Sequence, residues 1–108
     1  MNRKVLIIDD DTFFISLITI ILKQKNDIIF TAGNIEDGIK LLDLHKPEMV
    51  LLDNKLPDGN GWGKAEYILA NFPDIQLTLM SAMDVPKSST TSFRIMEKQL
   101  LIEELSEY

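Results

Sequence analysis

Two uninterrupted apolar runs, each closed by aspartate, organise the chain. Val5-Leu6-Ile7-Ile8 leads into Asp9-Asp10-Asp11, and Met49-Val50-Leu51-Leu52 leads into Asp53. Four apolar residues in succession, bounded by turn-forming residues, predict strands buried on both faces. After the first run, Phe14, Leu17, Ile18 and Ile21 recur at i, i+3, i+4 and i+7, which predicts a helix. Asp11 or Thr12 caps its start, and Lys23 to Asn26 end it. Ile28 to Ala32 reads as a short strand, and Asn34 caps a second amphipathic helix with Ile35, Ile39 and Leu42 on one face. Gly38 costs that helix about 1 kcal/mol against alanine, so packing has to hold it. A Pro57/Gly59/Gly61 loop follows the second apolar run. Next come a third helix carrying Trp62, Ala65, Ile68, Leu69 and Phe72 on one stripe, and a fourth strand over Ile75 to Met80. Phe93 to Glu97 predicts a fifth strand, and Leu101, Leu105 and Tyr108 mark a last helix.

Strands alternating with helices imply parallel β-α-β units with right-handed crossovers, an α/β fold. In a parallel sheet every carboxyl end lies on one rim, where open α/β folds bind ligands. Asp9, Asp10, Asp53, Ser81 and Lys98 each follow an apolar strand run, so all five are expected to gather there. Asp53 considered alone reads equally well as a turn cap. The convergence makes it a site residue.

Composition narrows the field. The 108 residues support one core, read as a single domain over residues 1–108 with no output domain. A net charge of -6 argues against a nucleic-acid surface, and the absence of cysteine rules out disulfides and thiolate metal sites. The longest apolar stretch, Phe13 to Leu22, is broken by Ser16 and Thr19 and too short to cross a bilayer. The first strand is expected to begin almost at Met1, which reads as leaving no room for a signal peptide, so the expected location is the cytoplasm, without membrane attachment.

Three carboxylates at one rim repel each other, and the usual relief is a divalent cation. Oxygen-only ligands suit a hard ion, Mg²⁺ or Mn²⁺, which keeps several waters and leaves room for phosphoryl oxygens. Lys98 supplies a positive charge and Ser81 a hydroxyl donor, which makes Asp53 a candidate nucleophile for phosphoryl transfer.

This ensemble resembles the receiver domain of bacterial two-component response regulators. The matching residues are Ile7-Ile8-Asp9-Asp10-Asp11, Leu51-Leu52-Asp53 with Leu56-Pro57 and Gly61, Met80-Ser81-Ala82, and Glu97-Lys98. The resemblance implies a doubly wound, flavodoxin-like five-stranded parallel sheet of order 2-1-3-4-5. It also implies that Asp53 is the phosphoacceptor and Asp10 a direct metal ligand. Asp9 would act through water, and the backbone carbonyl of Lys55 would be the remaining protein ligand. Ser81 and Lys98 would contact the phosphoryl group. The donor would be a sensor histidine kinase, a phosphotransfer protein or a small acyl phosphate, and the output a contact with a downstream protein.

The chain departs from the family in three places. Gln99 stands where a proline normally follows the lysine, and Ile95 where a switch aromatic is usual, with Phe93 two residues earlier on the same strand face. Only Ala82 to Ser92 connect the last two strands, so the fourth helix is expected to be absent or one turn long. The sheet surface it would cover then invites a partner or a homodimer. These departures support an alternative, a degenerate receiver acting as a phosphorylation-independent interaction and dimerisation module. A haloacid-dehalogenase-type enzyme is disfavoured because Phe13 stands where its motif wants Thr or Val, and an FMN protein because three aspartates replace a hydroxyl- and glycine-rich phosphate loop. The domain is therefore read as no enzyme beyond its own phosphorylation and dephosphorylation. Among the remaining residues, His45 reads as a helix-terminal, dipole-matched histidine. Trp62 reads as core, Phe13 and Ile20 as a weak interface signal, and Lys55 as a side chain overhanging the site.

Overall fold

The computed structural model describes residues 2–82 and 93–107. Its main sheet has five parallel strands: β1 (Lys4–Ile8), β2 (Ile28–Ala32), β3 (Met49–Asp53), β6 (Gln76–Ser81) and β7 (Phe93–Glu97). The order β2-β1-β3-β6-β7 is the expected 2-1-3-4-5 winding. The helices are α1 (Thr12–Lys23), α2 (Ile35–His45), α3 (Ala65–Asn71) and α4 (Lys98–Ser106). Two further strands, β4 (Lys55–Leu56) and β5 (Gly59–Asn60), form a small antiparallel ribbon in what the sequence pattern reads as a plain loop. The expected shortening of the fourth helix falls on a segment that, Ala82 apart, lies outside the described residues, as does Tyr108.

Strand periodicity sorts the core into two layers. Leu6, Ile8, Val50, Leu52, Leu77 and Leu79 pack with Ile35, Leu42, Ala65 and Ile68 on the α2/α3 side. Val5, Ile7, Met49, Leu51 and Met80 pack with Phe14, Ile18, Leu22, Leu101 and Leu105 on the α1/α4 side. Burial of both faces explains why the first and third strands read as unbroken apolar runs.

Local details follow the same logic. Asp11 is the α1 cap, its side chain accepting from the Phe14 N–H at 3.1 Å. Phe13 and Ile20 stand on the outer face of α1, 80% and 58% exposed, so they add nothing to the core. Gly38 is explained by crowding: a Cβ there would come within 2.5 Å of Ile8 Cδ1, so the Ile8 side chain fills the space a larger residue would need. His45 ends α2 and stacks its ring on Phe30 at 3.9 Å. The third helix is regular only from Ala65, because Gly61–Lys64 wind as a 3₁₀ turn. Among the described residues, no helix is long and apolar enough to cross a membrane.

Candidate functional site

The sheet register delivers the candidate residues to one rim. Ile8 pairs with Leu52 across β1 and β3, so Asp9 and Asp53 leave adjacent strands at the same level. Their parity places both on the α1/α4 side. Asp53 is in register with Met80, and Ser81 with Glu97, which directly precedes Lys98 at the first position of α4. Carboxylate oxygens of Asp9, Asp10 and Asp53 lie within 4.8 Å of one another. Asp9 is fully buried, Asp53 nearly so, and Asp10 is exposed.

Lys98 answers this negative charge. Its Nζ lies 2.7 Å from Asp9 Oδ2 and 3.5 Å from Asp53 Oδ1, and it sits 4.7 Å from the centre of the Phe14 ring. The aromatic face and the two carboxylates together hold a largely buried ammonium. Burial works against that charge, but contact with Asp9 and the fields of Asp9, Asp53 and Asp11 outweigh it and raise the Lys98 pKa. Asp53 is shifted up from the ordinary aspartate value of 3.8, first by burial and then by the neighbouring Asp9 charge; Lys98 and the Asn54 backbone N–H pull the other way. Asp9 Oδ1 also accepts the Asp11 N–H at 2.9 Å, which bends the chain from β1 into α1.

The loop after Asp53 is held by close backbone contact. The Gly61 N–H donates to the Asn54 carbonyl at 2.7 Å, and a Cβ on Gly61 would lie 2.0 Å from the Asp53 carbonyl oxygen. Only glycine permits that approach. Asn54 Oδ1 accepts the Trp62 N–H at 3.4 Å, and Trp62 Nε1–H donates to the Met80 carbonyl at 3.1 Å. Trp62 is half-buried against the α2/α3 core, as its position in an apolar stripe suggests, and its polar edge reaches the site rim.

Asp58 is a residue the sequence reading passes over. Its two oxygens accept the N–H groups of Ile35 and Glu36 at 2.8 and 3.0 Å, while Asn34 Oδ1 accepts that of Asp37 at 2.8 Å. The first three free N–H groups of α2 are thus satisfied, two of them by a side chain from the ribbon. Those bonds hold the Asp58 carboxyl below its usual range. The Pro57-Asp58-Gly59 turn signal was visible in the sequence; its partner 22 to 23 residues away was not.

A cleft of about 320 Å³ opens at this rim, with Asp10, Asp53, Lys55, Ser81 and Lys98 in its wall. Five of the six residues singled out from the sequence therefore share one opening, and buried Asp9 lies against it through Lys98. The donor set fits a hard divalent cation: three carboxylates whose oxygens converge, with no histidine or cysteine among the grouped residues.

Comparison with known proteins gives the chain a family. Residues 5–101 match the family described as the response regulator receiver domain. The chain is 30% identical over 86 residues to the transcriptional regulatory protein PdtaR of Mycobacterium tuberculosis, covering 77% of this chain and 42% of that protein. It is 32% identical over 81 residues to the chemotaxis protein CheY of Listeria monocytogenes, covering 74% of this chain and 68% of that one. The chain thus spans under half the length of PdtaR. The structure of a CheY-like response regulator receiver domain protein from Methanospirillum hungatei superposes with a TM-score of 0.79, covering 99% of this chain and 93% of that one at 19% identity, a likeness of fold. A match across most of the sequence, on a fold with the strand order that the resemblance implied, places this chain in the response regulator receiver domain family.

Proposed function

We propose that the chain is the phosphoacceptor receiver of a two-component phosphorelay, phosphorylated on Asp53 with Mg²⁺ or Mn²⁺ and signalling in the cytoplasm through protein–protein contact. The observation that carries the reading is the meeting of three carboxylates and one ammonium at the ends of parallel strands. Asp53 suits the nucleophile: it opens on the cleft, and Lys98 offsets part of the burial and Asp9 charge that favour its neutral form. An Asp53 oxygen attacks the phosphorus of a phosphohistidine on a sensor kinase or phosphotransfer protein, or of a small acyl phosphate. A P–O bond to Asp53 forms while the bond from phosphorus to the donor breaks. The donor leaves with the electron pair: an acyl phosphate as its carboxylate, a phosphohistidine protonated on its other ring nitrogen as neutral imidazole.

Asp9, Asp10 and Asp53, with the Lys55 carbonyl, would hold the cation, Asp9 acting through water. When bound, the cation neutralises charge on the phosphoryl oxygens. Lys98, already 3.5 Å from Asp53 Oδ1, pairs with one of those oxygens, and the Ser81 hydroxyl donates to another. Incubation with acetyl phosphate and Mg²⁺ tests the reading by intact mass. The expected result is a single added phosphoryl group, lost in Asp53→Asn and in excess chelator.

A second reading draws on two observations. The helix α4 begins on Lys98 with Gln99 next, and Ile95 packs half-buried where a switch aromatic is usual. Both weaken the link from phosphorylation to surface change and favour a constitutive interaction or homodimerisation module. An unaltered chain that gains no phosphoryl group would favour that reading instead.

A further inference from the structure

Trp62 is the only tryptophan of the chain, and its two nitrogens face two different parts of the rim. Its backbone N–H is held by Asn54 Oδ1, the neighbour of Asp53, at 3.4 Å. Its indole Nε1–H donates at 3.1 Å to the carbonyl of Met80, which is in register with Asp53 and directly precedes Ser81. The same loop is anchored by the Gly61 N–H on the Asn54 carbonyl at 2.7 Å. One residue therefore ties the chain leaving Asp53 to the chain arriving at Ser81. Apolar packing against the α2/α3 core accounts for a large ring at this position. It does not explain the choice of a side chain whose N–H must find an acceptor when buried.

We infer that Trp62 is a positioning residue: by holding the Met80 carbonyl it sets the end of β6, and so places the Ser81 hydroxyl in the cleft it shares with Asp53. The inference rests on the reading of Asp53 as phosphoacceptor and Ser81 as phosphoryl donor partner. A side chain that only fills space would affect stability; a positioning side chain affects the rate through Ser81.

The test is a double-mutant cycle on acetyl phosphate phosphorylation at saturating Mg²⁺. Trp62→Phe keeps a smaller aromatic ring and removes the N–H, and is expected to slow phosphorylation roughly fivefold, the worth of one net hydrogen bond. In a Ser81→Ala background the same change is expected to alter the rate by less than about twofold, because the residue it acts through is gone. In amide proton–nitrogen spectra recorded without phosphodonor, Trp62→Phe is expected to shift Ser81 and Ala82 while leaving Gln76, at the other end of β6, in place. An unchanged rate in Trp62→Phe, an equal slowing with and without Ser81, or an unmoved Ser81 amide would each overturn the role of Trp62. Absence of any adduct on the unaltered chain is a separate result, which overturns the reading of Asp53 and the inference with it.

Discussion

Asp9 and Asp53 stand one residue past the paired positions Ile8 and Leu52, at the ends of neighbouring parallel strands, yet their surroundings differ. Asp9 has no solvent exposure, lies 2.7 Å from the Lys98 ammonium and receives the Asp11 N–H. Asp53 keeps some exposure to the cleft, sits 3.5 Å from the same ammonium, and has its pKa raised by burial and by Asp9. One carboxylate is neutralised where it stands; the other is left under-compensated and accessible. A single lysine cannot serve both equally, and its closer approach to Asp9 leaves Asp53 as the group with most to gain from further positive charge.

Removing the shared cation should break this contrast most severely. Lys98→Ala leaves a fully buried Asp9 carboxylate with no ammonium, and metal-free stability at pH 7 is expected to fall by about 3 kcal/mol in urea denaturation. Added Mg²⁺, held at the proposed carboxylate site, would supply charge beside Asp9 and should recover much of that loss. The folded-state pKa of Lys98 is raised, so its contribution is complete below the ordinary lysine value of 10.5 and fades as pH climbs through the higher folded value. The gap between variant and parent should therefore close in strongly alkaline buffer. A variant as stable as its parent at neutral pH would show that Asp9 does not depend on this pair.

The Asp53 side of the comparison depends on backbone rather than charge. Gly61→Ala drives a Cβ to 2.0 Å from the Asp53 carbonyl oxygen, and is expected to cost about 2 kcal/mol and to weaken Mg²⁺ binding measured by titration calorimetry. Unchanged stability and affinity would mean that the loop has slack at this point.

Asp53→Asn should act in the opposite direction from the lysine variant. A carboxyl whose folded pKa is raised contributes stability below the unfolded value of 3.8 and loses it as pH rises through the folded one. Replacing it is therefore expected to raise the metal-free melting temperature at pH 7 by a few degrees, a gain that vanishes near pH 3.8 or below. It should also shrink the further rise produced by Mg²⁺. A lower melting temperature at pH 7 would show that Asp53 is better compensated than its surroundings suggest.

The smallest effect belongs to Asp58, which fastens the ribbon after Asp53 to α2. Its folded pKa is depressed, so its contribution is present above 3.8 and is lost as pH falls through the folded value. Asp58→Asn keeps one acceptor and is expected to lower the melting temperature slightly at pH 7 and not at all in strong acid. An equal difference at both ends would mean that shape, not charge, makes the cap.

Much of this was legible in the sequence because it depends on short-range periodicity. Unbroken apolar runs mark strands covered on both faces, the Phe14-Ile18 spacing marks a helix, and the order of elements sets the topology through right-handed crossovers. Parallel winding alone brought Asp9, Asp10, Asp53, Ser81 and Lys98 to one rim. The β4/β5 ribbon was not legible, since two-residue strands carry no period, and the 3₁₀ turn before α3 was hidden by an apolar stripe common to both helix types. Lys98 reads in sequence as a residue following a strand; the structure makes it the first residue of α4.

The sequence by itself thus determined the sheet, its winding and which chemical groups share its carboxyl edge, because those follow from side-chain pattern and chirality. Only the tertiary structure decided how the groups divide their charge. That Lys98 favours Asp9, that Asp58 caps a helix starting 23 residues earlier, and that Trp62 reaches Met80 all depend on ångström-scale distances between segments remote in the chain. Electrostatic and hydrogen-bond energies change steeply over such distances, and no local pattern encodes them.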